Sequence, residues 1–369
     1  MDTDQAVKQV LNLFPTLTFE EMETCQANLS VEDRQMSMTR LALVARLGQW
    51  LTRANFTLAL ITFAVVLVYL KSMWSGLRSK ALPPKVAALL MLRSSGDVLI
   101  CLQLMVVSSL WLVELFDWPL LSRVVHAAGK YTWFGFQMGL ATSLATYSTL
   151  SWFKTWAILS PLSYQTRVSN RVCFQVAAGH IDVCLVASIL PRFLFTVLMP
   201  WLQGGDCRAP SACFAWHDNL GFPVWAALVC SAYLEVVAAF LLTTTALVAA
   251  SSRNRLQQQS ASNRISFGKL TAGVAVFAVG YFPIVCRLAI FALFDVDRCR
   301  MVYQAPAMTI IELLPFTLLA VKSLADPLIE TLIDVRTRTL VAEALRCGKP
   351  TPGKNAVPIR HTTVTETRH

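Results

Sequence analysis

The stretch LTRANFTLALITFAVVLVYLKSM, Leu51–Met73, is apolar over most of its length and carries a basic residue, Lys71, near its end. A helix of roughly 20 apolar residues crosses the hydrocarbon of a bilayer, which is about 30 Å thick. Because a backbone in lipid must satisfy its own hydrogen bonds, we expect this run to be a membrane-spanning helix.

The composition of the whole chain supports this interpretation. Of 369 residues, 55% are hydrophobic and 15% are charged, whereas a soluble globular protein is about half apolar and about a quarter charged. The apolar residues form seven blocks, so the sequence predicts an all-α membrane protein, a seven-transmembrane helix bundle. The blocks are Leu51–Met73, Pro84–Phe116, Ala127–Ile158, Val172–Pro200, Leu220–Ala250, Phe267–Phe294 and Met301–Ile333.

The blocks divide the chain into four parts. We expect an extracellular N-terminal tail over residues 1–50, the seven-helix domain over 51–333, a cytoplasmic amphipathic helix over 334–347 and a disordered cytoplasmic tail over 348–369. In the amphipathic stretch Leu332 to Arg346, the apolar positions that share one face are Ile333, Val341, Ala344 and Leu345.

The chain has a net charge of +10, and its basic residues are unevenly distributed between the two sides of the predicted bundle. Basic residues concentrate after the first, third and fifth blocks and in the C-terminal tail, whereas the other loops carry both signs. Cationic loops stay in the cytoplasm, so we expect a multi-pass plasma-membrane protein with its N-terminus outside. No basic patch lies on a soluble domain, and nucleic acid is not expected as a partner.

Several residues are candidates for covalent modification. Asn28 begins a glycosylation sequon in the N-terminal tail, and Cys347 follows the amphipathic stretch as a palmitoylation candidate. Four further cysteines fall in the predicted outer segments, and four allow three pairings. We favour Cys207–Cys213 and Cys25–Cys299, with free thiols as the alternative.

Four short motifs occur in order on different blocks. They resemble motifs of the rhodopsin-like family of G-protein-coupled receptors: the buried Asp of helix two, AIxxPLxY, FxxCWxP and SxxNPxxY or its DPxxY variant. The resemblance covers about Leu51 to Cys347. Here the motifs are SSGDVLICL with Asp97, AILSPLSY, FAVGYFP from Phe277 to Pro283, and SLADPLIE from Ser323 to Glu330.

The resemblance implies coupling to a heterotrimeric G protein through the end of helix three. The family's Asp-Arg-Tyr triplet is replaced by Phe153-Lys154-Thr155, so Lys154 stands for the Arg that meets the G protein, without its bidentate fork. Phe153 removes the acid that would hold that cation at rest. Pro161 and Leu162 would complete the coupling site, and the alternative for Lys154 is a snorkelling side chain.

The motifs also imply a switch, because a proline inside a helix removes a backbone donor and kinks the chain. The expected switch residues are Phe277, Tyr281, Pro283, Asp326 and Pro327, with Tyr281 where the family has Trp. The alternative is aromatic packing beside a kink.

A polar core is expected inside the bundle. By the resemblance, Asp97, Ser143, Ser323 and Asp326 fall where the family holds sodium. Lys322 precedes Asp326 by four residues, as Arg93 precedes Asp97, so each pair lies one helical turn apart. We expect Lys322 to replace sodium by pairing with Asp97 or Asp326, and the alternative is a purely structural polar cluster.

Candidate ligand-binding residues lie in the outer halves of the blocks. They are Trp133, Phe136, Gln137, Arg287 and Glu312. Phe136 stands where amine receptors carry an acid, so the pattern favours a peptide with a polar or amidated end, that is, a neuropeptide receptor.

Two other classes of protein are alternatives to a neuropeptide receptor. A chemosensory receptor for small molecules is the main alternative, and a transporter is a further one. The five histidines are scattered along the chain, so we expect no metal site, no cofactor and no enzymatic activity.

Overall fold

The computed structural model describes residues 31–82, 84–115, 119–169, 222–253, 261–293 and 305–346, with short helical pieces between residues 171 and 186. Within these ranges the chain is almost entirely helical and contains no strand. The helices are α1 (Val31–Arg78), α2 (Pro84–Leu115), α3 (Pro119–Leu159), α4 (Pro161–Arg167), α5 (Phe222–Arg253), α6 (Ala261–Leu293), α7 (Ala305–Ile333) and α8 (Val335–Leu345).

Four helices of the described part are long and apolar enough to cross a membrane, and α6 adds a shorter apolar segment, Ala275–Phe291. Their outward side chains are apolar as well, which is what lipid contact requires. The protein is therefore a helical membrane protein. The four spans are Ala42–Arg78, Ala87–Ser109, Val224–Thr245 and Ala307–Ile333, and exposed apolar residues on them include Leu60, Ile61, Leu241, Leu242, Val321 and Leu328.

The predicted count of seven spans is not decided by these residues. The fourth block, Val172–Pro200, lies mostly outside the described residues. The third block lies within α3, but the side chains of its outer part are outside the described residues. The seven-span bundle therefore stays a prediction.

The long helices pack as a closed ring. In the order of contact, α1 touches α2, α2 touches α3, α3 touches α5, α5 touches α6, α6 touches α7, and α7 returns to α1. Aromatic and aliphatic side chains from these helices fill one core cluster, and those from α3 and α6 include Phe136, Leu140, Tyr147, Phe277, Tyr281 and Leu288. The core lies around the residues that carry the motifs.

Helix α1 begins earlier than the sequence predicted. It starts at Val31 and continues without interruption for 48 residues, whereas the first block was expected to begin at Leu51. At 1.5 Å per residue a helix of this length extends about 70 Å, more than twice the hydrocarbon thickness. Residues 31–50 of the predicted tail are therefore helical.

Helix α8 follows α7 where a short amphipathic helix was expected. Asp334 caps its first turn by accepting a hydrogen bond from the Arg336 backbone N–H. The inward face differs from the predicted one, because Leu340 is buried while Leu345 is 62% exposed. Leu340 packs over α1, where a Cβ on Gly76 would lie 2.6 Å from its Cδ1.

Helices α2 and α3 approach each other closely at two glycines. A Cβ on Gly139 would lie 2.6 Å from the Gly96 carbonyl oxygen, and a Cβ on Gly96 would lie 2.7 Å from the Gly139 carbonyl oxygen. Small residues allow membrane helices to pack backbone to backbone in this way. The contact sets the spacing of α2 and α3 one residue before Asp97.

Gly139→Ala is expected to destabilise the protein by about 1–3 kcal/mol, because its Cβ meets a backbone oxygen that cannot rotate away. The measurement is the thermal unfolding temperature of the purified chain in detergent. Gly135→Ala on the same helix is the matched control, since its Cβ would meet nothing within 4 Å. Alanine favours a helix over glycine by about 1 kcal/mol, so the control should unfold at an unchanged or higher temperature. Equal losses for both variants would contradict a close contact at Gly139.

Candidate functional site

Four charged side chains are buried together in the middle of the bundle. Arg93 and Asp97 come from α2 and are 4% and 1% exposed, while Lys322 and Asp326 come from α7 and are 1% and 3% exposed. A buried charge is costly unless it is paired and hydrogen-bonded. The two cations and two anions sum to zero, so each charge has an opposite charge available within the cluster.

The Lys322 ammonium lies at the centre of this cluster. Its Nζ is 3.0 Å from Asp97 Oδ1 and 2.9 Å from Asp326 Oδ2. It also lies 3.3 Å from Ser143 Oγ and 3.4 Å from the Tyr281 hydroxyl. The sequence predicted a contact with one carboxylate or the other, and the ammonium contacts both.

Each carboxylate receives further hydrogen bonds. Ser323 Oγ donates to Asp97 Oδ1 at 3.0 Å, and Ser143 Oγ lies 3.4 Å from the same oxygen. The Tyr147 hydroxyl donates to Asp326 Oδ2. The five residues expected in the polar core, Asp97, Ser143, Lys322, Ser323 and Asp326, are thus brought together across α2, α3 and α7.

Arg93 pairs with a carboxylate from another helix. Asp97 lies four residues later on the same helix, but the ion pair of Arg93 is with Asp326, at 3.8 Å from Nε to Oδ2. Its guanidinium also lies over the Tyr147 ring, 5.2 Å from the centroid. Asp97 Oδ1 contacts Lys322 and Ser323, whereas Asp97 Oδ2 has no hydrogen-bond partner among the described residues.

Sequence analysis missed two residues that form the cluster. Tyr147 lies one turn after Ser143 on α3, and that spacing was the available signal. Gly280 lies inside the FAVGYFP motif, and a Cβ there would lie 2.4 Å from Lys322 Cβ and 2.6 Å from its Cγ. Gly280 therefore makes room for the lysine stem to pass along the α6 backbone.

The predicted switch residues adjoin the charged cluster. Phe277 is fully buried, with ring centroids 4.6 Å from Tyr147, 4.9 Å from Tyr281 and 5.6 Å from Tyr233. Pro283 lies inside α6, and Pro327 lies inside α7 together with Pro315, which was not predicted as a switch residue. Each proline leaves a carbonyl one turn earlier without its helical donor.

Three of the predicted ligand-binding residues belong to one contact group. Arg287 donates to Glu312 Oε2 through Nε at 3.0 Å and through Nη2. Its guanidinium lies 5.2 Å from the centroid of the Phe316 ring, and Phe316 meets Phe136 edge to face at 5.7 Å. Phe316, one turn after Glu312, was missed.

The other two predicted ligand-binding residues are on α3. Gln137 is 5% exposed, and its Oε1 has no hydrogen-bond partner within the part of the chain that the structure describes. The side chain of Trp133 lies outside the described residues. Gln137 is therefore a buried acceptor that is available to a donor.

The coupling residues lie at the opposite end of α3. The helix continues through Lys154 to Leu159, and Pro161 begins α4. The side chains of Lys154, Pro161 and Leu162 are outside the described residues.

Phe153 is described in full and lies in an apolar cluster. It is buried with Leu89 of α2 and Val168, which follows α4, and its ring meets Tyr164 edge to face at 6.5 Å. The end of α3 is therefore held by apolar contacts at Phe153.

The predicted modification sites lie outside the described residues. They are Cys25, Asn28, Cys207, Cys213, Cys299 and Cys347, so the pairing of the cysteines stays a prediction. Cys101, Cys230 and Cys286 are described and are free thiols. Among the described residues, no group of three or more His, Cys, Asp or Glu side chains is placed to hold a metal ion.

Comparison with known proteins gives no match. No family model matches the chain, and no curated protein gives a significant match to its sequence.

Lys322→Met is expected to lower the free energy of unfolding by about 3–5 kcal/mol, because it leaves two buried carboxylates without their shared cation. The remaining oxygens of Asp97, Ser143, Ser323 and Asp326 are hard ligands suited to a hard cation. The variant should therefore be stabilised by sodium chloride relative to choline chloride, whereas the wild type should unfold at the same temperature in both salts. The measurement is thermal unfolding in detergent.

The control is Lys71→Met, which removes an exposed lysine of α1 and should change neither stability nor salt response. Lys322→Met/Asp326→Asn, with one carboxylate fewer, should recover part of the loss. A wild type that depends strongly on sodium would contradict the replacement of sodium by Lys322.

Proposed function

We propose that this chain is a divergent rhodopsin-like G-protein-coupled receptor. In this proposal seven helices cross the plasma membrane, with the N-terminus outside and α8 on the cytoplasmic side. The receptor passes the signal of an extracellular ligand, a neuropeptide, to a heterotrimeric G protein.

One observation carries the proposal. Residues picked out by separate motifs, Asp97 on α2, Tyr281 on α6 and Asp326 on α7, meet around Lys322. The motifs lie far apart in the chain, and by the resemblance their residues are expected to share one site. The meeting point is where the resemblance expects the polar core of the receptor.

The arrangement of this cluster fits a two-state switch. It joins α2, α3, α6 and α7, and the prolines Pro283 and Pro327 lie within one turn of its members. Packed interfaces change between discrete arrangements rather than deforming continuously. The contact between the Tyr281 hydroxyl and Lys322 Nζ links the outer and inner halves of the bundle. A movement of α6 relative to α7 would break it.

The contact group of Arg287, Glu312, Phe316 and Phe136, here called the outer group, favours a ligand whose bound end carries no net charge. Arg287 and Glu312 neutralise each other, and the aromatic rings of Phe136 and Phe316 lie beside the pair. The Gln137 acceptor would suit an N–H donor such as a terminal amide. Position 136 is a phenylalanine, so an ammonium ligand would find no unpaired acid there. A peptide is therefore favoured over an amine.

The two other classes remain as outcomes of the test. A chemosensory receptor for small molecules could use the same outer group, and it would also activate a G protein. Buried charges inside membrane helices also occur in transporters, but a transporter would give no G-protein signal.

The proposal is tested by basal G-protein activation in cells, comparing the wild type with Lys154→Ala at matched surface levels. Activity should fall at least about fivefold in the variant, because the charge that stands for the family's arginine is gone. Lys71→Ala is the control, since it removes one exposed lysine of α1 and should leave activity unchanged. A well-expressed wild type with activity that Lys154→Ala does not lower would contradict the coupling role.

Phe153→Ala is expected to raise basal activity at least about fivefold, because the end of α3 loses its apolar contact with α2 and α4. The same G-protein assay measures it. Leu67→Ala, which truncates an exposed apolar side chain on α1, should have no effect. Unchanged or lower basal activity in Phe153→Ala would show that this contact does not hold the resting state.

A further inference from the structure

The N-terminal part of α1 carries large apolar side chains that are exposed in the described structure. Trp50 is 72% exposed and Leu43 56%, and Leu47 is half-buried. On a helix of 3.6 residues per turn these three positions lie on one side, and together they are called the α1 stripe. Val44 and Gly48, away from the stripe, are buried. The orientation of α1 therefore leaves the α1 stripe uncovered.

The α1 stripe lies beyond the hydrocarbon of the membrane. Thr62 Oγ1 donates to the Ala320 carbonyl at 3.4 Å, and Ala320 is at the middle of the α7 span, Ala307–Ile333. At 1.5 Å per residue, Leu43 is about 28 Å and Trp50 about 18 Å along α1 from Thr62. The hydrocarbon extends only about 15 Å to each side of its middle, so lipid chains do not cover the stripe.

Two arginines line one edge of the α1 stripe. Arg46 and Arg53 are exposed, and seven residues of helix bring both to the same side, next to Leu43 and Trp50. Within the described residues neither arginine forms an ion pair. The sequence of residues 39–53 contains no acid. The stripe is therefore complementary to a partner that combines apolar side chains with carboxylates.

The chain itself has such a segment shortly before α1. Residues 1–30, which lie outside the described residues, hold five acidic side chains and one lysine, a net side-chain charge of −4. Three of these acids and four large apolar residues fall within FPTLTFEEME, Phe14–Glu23. Opposite charge and similar apolar content make this segment complementary to the α1 stripe.

The connection is long enough for this segment to fold back along α1. Arg46 is about 22 Å along the helix from Val31, where α1 begins. The chain from Glu20 to Val31 spans up to about 36 Å when extended, which leaves length for a turn. Segment and stripe also lie on the same side of the membrane in either orientation of the protein, because no span separates them in the sequence.

We propose that Phe14–Glu23 docks on the α1 stripe of the same chain, with its apolar residues against the stripe and its carboxylates at Arg46 and Arg53. Docking removes aromatic and aliphatic surface from water, and the ion pairs select this segment over an uncharged one. The docked tail excludes other acidic partners from this face of α1. This inference does not depend on the proposed receptor function.

The test is the rate at which N-ethylmaleimide labels Leu43→Cys under reducing conditions, with the labelled peptide identified by mass spectrometry. The rate is measured in phosphatidylcholine nanodiscs for the full chain and for the same chain lacking residues 1–23. The ratio of the second rate to the first is the protection given by the tail. Protection should be about tenfold, because a tethered segment has an effective concentration near millimolar, and it should not change on dilution.

Charge substitutions separate this segment from other covers. Arg46→Glu/Arg53→Glu should lower the protection to less than about twofold, and so should Glu20→Arg/Glu23→Arg. The four substitutions together restore opposite charges and should recover the protection. The matched control is Asp2→Arg/Asp4→Arg, which changes two acids outside the segment and should keep it.

The truncation and the tail substitutions leave the helices unchanged, so they keep the proposal testable if the α1 variant does not fold. Equal labelling of the full and truncated chains would overturn the proposal, since the face would then be bare or covered by lipid. Protection that falls on dilution would overturn it in favour of a second copy of the chain. Loss of protection in the control, or no recovery in the fourfold variant, would also overturn it.

Discussion

The Lys322 ammonium lies between two buried carboxylates, and the packing of the surrounding helices follows from its need for partners. An unpaired charge in the interior of a membrane helix is among the most costly features a bundle can have. Asp97 and Asp326 must therefore stay within about 3 Å of Nζ, which fixes α2 against α7. Gly280 is required for the same reason, because any larger side chain would meet the lysine stem.

The two helices α6 and α7, which carry part of this cluster, each lack backbone hydrogen bonds where they contain proline. Lys322 and Asp326 lie on α7 between Pro315 and Pro327, and Tyr281 lies two residues before Pro283 on α6. Helices bend most easily where proline removes a hydrogen bond. The ion pair of Lys322 with Asp97 therefore ties one proline-containing helix, α7, to α2, and the Tyr281 hydroxyl joins the other, α6, to the same ammonium. A change in these contacts would be transmitted as a movement of α6 or α7.

Part of this site could be predicted from sequence and part could not, for physical reasons. Asp97, Lys322 and Asp326 stand out because charges are rare in apolar segments. Tyr147 and Phe316 do not stand out, since aromatic residues are common in such helices and only the rotation of each helix decides what they face. The partner of Arg93 could not be predicted from spacing, because a spacing of four residues relates positions on one helix, whereas Asp326 reaches Arg93 from another.

On the proposed function, two departures from the family have the same physical consequence. In the core, a covalently tethered ammonium stands where an exchangeable sodium ion is expected, and it cannot leave when the bulk ion concentration changes. At the end of α3, an apolar contact of Phe153 with Leu89 stands where an ion pair is expected, and salt does not screen an apolar contact as it screens exposed charges. Both substitutions make the balance between states depend on packing rather than on ions. Such a receptor would respond to its ligand through the shape of the aromatic group around Phe277, which touches both the charged cluster and α5.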